Sequence, residues 1–135
     1  MSSGASNVDG RLEEGRELNL QFEKRGGVLP VVVQHAESLE VLMVGYTNQE
    51  AFDLTRESGY VHFYSTSRNT LWKKGETSGD LLRLREIRID CDQDALVYRV
   101  YPVGGGVCHT VSDDGSHRPT CFYRRLSDGA LERLL

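Results

Sequence analysis

Five or six short runs of β-branched, aliphatic and aromatic residues, cut apart by polar or glycine-bearing turns, confine this chain to a sheet-based fold. Residues 28–33 read Val-Leu-Pro-Val-Val-Val, and Pro30 near the start suits an edge strand or the beginning of a strand. Residues 41–46 (Val-Leu-Met-Val-Gly-Tyr) form a second strand, and the His35-Ala36-Glu37-Ser38 stretch between them makes the two a hairpin. Residues 60–65, 81–90 and 95–103 give three more strands, and residues 122–126 a short last one. Within 81–90, Leu82 and Leu84 fall on even positions, Ile87 and Ile89 on odd ones. That slip of phase predicts a bulge or a change of buried face. Only residues 49–57 read as a clear helix, capped by Thr47 or Asn48 and stopped by Gly59, with Ala51, Phe52 and Thr55 on one face. A helical turn is expected at 130–135. The 135 residues suit one domain of α+β class with a mainly antiparallel sheet and few helices.

Residues 1–17, rich in Ser, Gly, Asn and Glu, read as a flexible N-terminal tail, and 18–135 as the domain. No basic stretch followed by an apolar one marks a secretory signal, and no apolar run approaches the ~20 residues of a membrane span. A cytoplasmic protein is expected. The net charge of −4, from 16 basic and 20 acidic residues, argues against general nucleic-acid binding, which depends on clustered Lys and Arg. The three cysteines, Cys91, Cys108 and Cys121, are an odd number for a disulfide framework. They suit either buried free thiols or a metal site.

Two clusters carry metal-ligand chemistry. Asp90, Asp92 and Asp94 alternate along the chain, so extended backbone would put three carboxylates on one face, where their repulsion calls for a cation such as Mg²⁺. The plain alternative is a solvated acidic turn. Cys91 lies inside this motif, and Cys108-His109 follows the Gly104-Gly105-Gly106 break, with Cys121 beyond. Three thiolates holding zinc leave its fourth position to a water whose pKa falls to ~7, and His109 beside it is placed to move a proton. A closed structural zinc with His109 as fourth ligand is the competing reading.

Residues 66–80 form a polar loop too long for an incidental connection. Ser67, Arg68, Lys73, Lys74, Thr77 and Ser78, with Gly75 and Gly79, supply the hydroxyls, cations and close backbone approach that a phosphate needs, and Trp72 offers a face for a base. A surface loop pinned by one Trp would look similar.

Together these segments resemble the phosphoribosyl-AMP cyclohydrolase family, from about Val28 to Leu126. The resemblance rests on residues 41–46 with Asn48-Gln49-Glu50-Ala51, on Ser67-Arg68, and on Leu71-Trp72-Lys73-Lys74-Gly75-Glu76-Thr77-Ser78-Gly79. It rests equally on Asp90-Cys91-Asp92-Gln93-Asp94, Cys108-His109-Thr110 and Cys121-Phe122-Tyr123-Arg124. It implies an enzyme of histidine biosynthesis that hydrolyses the N1–C6 bond of the adenine ring of phosphoribosyl-AMP. It further implies an intertwined homodimer, with one zinc per subunit held by Cys91 of one chain and Cys108 and Cys121 of the other. Mg²⁺ would lie on Asp90, Asp92 and Asp94, and the nucleotide on Ser67, Arg68 and residues 72–78, Glu76 among them.

The chain departs from the family pattern after Thr110. Val111 stands where the family has Gly, and the interval to Cys121 is roughly six residues longer, a lengthening that costs little entropy. His117 in this loop is a candidate competing ligand. The alternatives are therefore a paralogue acting on another purine nucleotide and a zinc-stabilised nucleotide-binding module without catalysis. Metal content and a turnover assay separate them.

Overall fold

The β-branched runs become strands and the capped segment becomes the main helix in a computed structural model that describes residues 10–135. In chain order the elements are helix α1 (Arg11–Glu14), a 3-10 turn (Glu23–Arg25), strands β1 (Leu29–His35) and β2 (Val41–Thr47), and helix α2 (Gln49–Ser58). Strands β3 (His62–Ser65), β4 (Thr70–Lys73), β5 (Leu82–Ile89), β6 (Leu96–Pro102), β7 (Arg124–Ser127) and β8 (Ala130–Arg133) complete the fold. Residues 1–9 of the segment read as a tail lie outside the described residues. Its remainder includes α1, whose Leu12 is buried.

A four-stranded sheet in the order β2-β1-β6-β5 frames the molecule. β1 pairs antiparallel with β2, as the expected hairpin, and parallel with β6, while β5 and β6 are antiparallel. β1 is thus internal, and Pro30 is tolerated because pairing with β6 begins only at Val31. Alternate residues of β1 (Leu29, Val31, Val33) and of β6 (Leu96, Tyr98, Val100) are buried, the period-2 pattern of a half-covered sheet. The cover is α2 and the β3–β4 hairpin, which bring Phe52, Val61 and Phe63 into the same core. The phase slip in β5 is a bulge: Leu84 pairs with Val100 and Glu86 with Arg99, leaving Arg85 as the extra residue. α2 begins as its sequence predicts, with the Asn48 side chain accepting from Ala51 N and Gly59 closing it at φ 79°. Among the described residues no helix is long and apolar enough to cross a membrane.

Two expectations are corrected. Residues 130–135 do not form a helical turn, because Ala130–Arg133 pairs with Arg124–Ser127. The two-residue Asp128-Gly129 turn has φ 48° and 78°, and positive φ at both positions closes a hairpin in preference to a helix. Residues 66–80 are not one continuous loop either, since Thr70–Lys73 pairs with His62–Ser65. The β7–β8 hairpin is exposed along its whole length, with Leu126 and Leu131 facing each other across it at 75% and 61% exposure.

The β3–β4 hairpin lies close on β2 because Gly45 has no side chain. A Cβ there would sit 2.7 Å from the ring of fully buried Phe63. Gly45→Ala is therefore expected to cost about 1–3 kcal/mol, the usual penalty of overpacking. Chemical denaturation measures this, and Phe63→Leu in the same chain should recover part of the loss.

Candidate active site

β6 carries candidate functional residues at both of its ends. Residues 90–94 precede it, and Gly104 to His109 follow it. β5 runs alongside in the opposite sense, so the sheet has one acidic end and one end that bears the loop before Leu82.

At the second end lies a cleft of about 450 Å³, lined by Met43, Arg68, Trp72 and its successors Lys73, Lys74, Gly75, Glu76, Thr77 and Ser78, together with Val107, Cys108, His109 and Cys121. Of the residues read as nucleotide-binding, all but Ser67 and Gly79 meet here. Ser67 is outside the lining, with its hydroxyl near the Ser65 hydroxyl, which in turn accepts from Arg68 N. Met43 and Val107 are lining residues that sequence reasoning missed, since apolar residues in strand-like context carry no local sign of a cleft. Trp72 serves both readings offered for it: its ring packs 5.2 Å from that of Phe63, and it also faces the cleft.

Close backbone contact shapes the loop. Gly75 lies at φ 83°, and a Cβ on it would fall 2.2 Å from the Asp80 carbonyl carbon. Lys74 is buried, and its ammonium donates to the Asp80 carbonyl. Burial lowers the Lys74 pKa against the opposing pull of Asp80, Cys121 and Cys108.

Cys108 and Cys121 come together from different directions. Cys108 follows the Gly104-Gly105-Gly106 turn, whereas Cys121 is fixed on the free edge of β2, its N–H donating to Leu42 O while the Thr120 hydroxyl donates to Val41 O. The chain bends at residues 108–110, which lets both Cys108 and His109 reach the cleft although neighbours in extended chain would diverge. Burial opposes the Cys108 thiolate, but the Thr110 hydroxyl at 3.1 Å and its backbone amide outweigh this and lower the pKa. Desolvation and the Cys108 sulfur beside it push the Cys121 thiol up to about 11. Two adjacent sulfurs of opposite tendency are a fitting donor pair for a soft cation, which would ionise both.

Cys91 is not part of this cleft. It is exposed in the turn at the acidic end, beside Leu12, Arg16, Leu18 and Ile89. The seven residues of β6 between the two ends rise about 20 Å at the usual strand spacing. One chain therefore brings two of the three predicted zinc ligands together and holds the third apart. His117 is outside the cleft lining, and its ring Nδ1 pairs with the Asp80 carboxylate.

The carboxylates of Asp90, Asp92 and Asp94 do converge, with ligand oxygens within 4.8 Å of one another, the one such group of three among the described residues. They do so through a turn, with Gln93 at φ 58°, and not through extended backbone. Their oxygens fit a hard divalent cation. The chain also supplies counter-charge that the sequence did not disclose: Lys24 Nζ lies 2.9 Å from Asp92 and 3.0 Å from Asp94, and Arg25 lies 2.7 Å from Asp94. Burial works against the Asp94 charge, yet hydrogen bonds from Lys24, the neighbouring carboxyls and Arg25 hold its pKa well below the ordinary carboxylate range. Burial raises Asp90 despite the amides of Asp94 and Ala95 that its side chain accepts.

Comparison with known proteins is specific. The model of the phosphoribosyl-AMP cyclohydrolase family matches residues 43–123. The phosphoribosyl-AMP cyclohydrolase of Erythrobacter litoralis is 51% identical over 89% of this chain and 90% of its own length. Those of Archaeoglobus fulgidus and Methanospirillum hungatei are 50% and 47% identical, over 81% and 84% of this chain and 94% and 80% of theirs.

The Asp94 environment yields a pH-dependent expectation. With its folded pKa depressed, Asp94 stabilises the fold above the unfolded value of about 3.9, and that contribution fades as pH falls through the folded one. Asp94→Asn should thus cost about 1–3 kcal/mol at pH 7, the scale of hydrogen bonds to a charged group. The gap to the parent chain should begin to narrow below about pH 4 and keep shrinking as pH falls toward the folded value. Denaturant titrations across pH, in chelator, measure it.

Proposed function

The chain belongs to the phosphoribosyl-AMP cyclohydrolase family and is an enzyme, and from this we propose that it hydrolyses the N1–C6 bond of the adenine ring of phosphoribosyl-AMP, a step of histidine biosynthesis. The observation that carries the reading is one cleft that gathers Arg68, Trp72, Lys73, Lys74 and the following loop with Cys108, His109 and Cys121. Phosphate-binding chemistry and ligand chemistry then act on a single molecule.

The residues divide the work by their chemistry. Arg68, Lys73 and Lys74 neutralise phosphate oxygens, and the Gly75 backbone lets the loop approach them. Trp72 offers an aromatic face to the purine. The N1 substituent makes the ring cationic, so C6 accepts attack by water and the N1–C6 bond then breaks with a proton delivered to N1. His109, exposed at the cleft beside Cys108, hands over that proton, since an imidazole both takes and returns one near neutral pH. Cys108 and Cys121, with Cys91 of a second copy, would hold zinc, and Asp90, Asp92 and Asp94 would hold Mg²⁺. Zinc there supplies the Lewis acidity that makes water a competent nucleophile at neutral pH, and Mg²⁺ supplies further positive charge.

A homodimer follows from the same reading. Cys91 and the Cys108–Cys121 pair stand at opposite ends of β6, so a three-thiolate site needs two copies. Apolar surface is available to join them, in the β7–β8 leucines and in Val41, Val44 and Tyr46 of edge strand β2, each at least 40% exposed. The cytoplasm, where histidine biosynthesis supplies the substrate, is the proposed location.

His109→Ala should keep one zinc per chain by elemental analysis and lose about 10²-fold in turnover of phosphoribosyl-AMP, the usual scale for a general acid. Loss of zinc with activity would make His109 a ligand instead. Cys91→Ser and Cys108→Ser chains, each inactive alone, should regain partial activity when mixed, because one site of the mixed dimer keeps all three thiols. A fully active monomer would sink the shared site.

A further inference from the structure

The lengthened loop after Thr110 is folded tightly against the cleft. Val111 bridges His117, Ser112 N donates to Ser116 O, and the Arg118 carbonyl accepts from both Val107 N and Cys108 N. The loop touches the nucleotide-binding loop at one polar contact, His117 Nδ1 with the Asp80 carboxylate. The surroundings leave room for that contact and little else. A Cβ on Gly106 would sit 2.7 Å from the His117 Cβ and 3.2 Å from Asp80 Oδ1. The Asp80 side chain is 10% exposed, that of His117 36%.

Asp80 is where residues 75–80 close. Its N–H donates to the Ser78 hydroxyl, its backbone crosses Gly75 closely enough to exclude a Cβ there, and its carbonyl receives the Lys74 ammonium. A group that fixes Asp80 therefore fixes both the loop that faces the cleft and the cation at its floor.

We propose that His117 and Asp80 form a latch by which the lengthened loop positions the nucleotide-binding loop and Lys74, so that both are positioning residues for the substrate phosphate. This rests on the assignment of the cleft to phosphoribosyl-AMP. His117 acts through Asp80 and has no contact with the reacting ring. Asparagine at 117 places an amide N–H where Nδ1 stands, and so preserves the latch without an imidazole.

The test compares steady-state kinetics of His117→Ala, His117→Asn, Asp80→Ala and the His117→Ala, Asp80→Ala double variant. His117→Ala should raise KM for phosphoribosyl-AMP about tenfold and leave kcat within about threefold, the effect of losing one hydrogen bond to a charged group on ground-state binding. His117→Asn should restore KM, and the double variant should be no worse than either single one. An unchanged KM in His117→Ala, additive effects in the double variant, or loss of zinc in His117→Ala would each overturn the latch. If Asp80→Ala does not fold, the contrast of Ala with Asn at the half-exposed position 117 still decides. If the parent chain does not turn over phosphoribosyl-AMP, the functional reading fails by itself. Hydrogen exchange then tests the latch alone: amides of residues 75–80 should exchange faster in His117→Ala, and unchanged protection would refute it.

Discussion

The seating of β6 between β1 and β5 is the constraint on which the rest depends. It is the strand with partners on both sides whose two ends both carry functional groups, and its buried face, Leu96, Tyr98 and Val100, is central to the core. Because a strand is stiff and rises a fixed distance per residue, groups at its two ends cannot meet within one chain. The acidic turn and Cys91 stay at one end; Cys108, His109 and the cleft are held at the other. The separation holds Cys91 apart from Cys108 and Cys121, and so ties the proposed chemistry to assembly.

The two ends are stabilised in different ways. At the acidic end, three carboxylates converge in a turn, and Lys24 and Arg25 from the segment before β1 offset much of their repulsion. Gln93 ties that segment down further, through its contacts with Asn19 N, Leu12 O and Glu17 O. A Mg²⁺ ion binding there would compete with these two half-exposed basic side chains for the same carboxylates. At the cleft end, the elements come from four distant parts of the chain and are joined mostly by backbone contacts: Cys121 N to Leu42 O, Lys74 N to Val61 O, and Val107 and Cys108 N to Arg118 O. These backbone bonds fix where the main chain of Cys108 and Cys121 stands, so their placement follows from the fold itself.

Close packing explains why glycine stands where it does around the cleft. Gly45 admits the Phe63 ring beneath the β3–β4 hairpin, Gly75 admits the Asp80 backbone, and Gly106 admits His117. Each lets two segments approach more closely than any side chain would permit. The loop after Thr110 uses the last of these gaps to bring His117 against Asp80.

The sequence by itself determined the elements that depend on local physics. The α2 helix with its Asn48 cap and Gly59 stop, the alternation in β1 and β6, and the bulge at Arg85 were all legible, because capping, pleat and phase are short-range properties. Arg68 and residues 72–78, grouped in the sequence reading, do line one cleft, although strand β4 interrupts the loop expected there. The last residues were read as a helical turn, although Asp128-Gly129, with positive φ at both positions, closes a hairpin there. What the tertiary structure decided is which distant residues meet. Lys24 and Arg25 reach the carboxylates, Met43 and Val107 line the cleft, Cys121 docks on the edge of β2, and His117 pairs with Asp80. These pairings are set by strand order, by the parallel match of β1 with β6, and by where glycine lets backbones touch. No local pattern encodes them, because they depend on the whole sheet having formed.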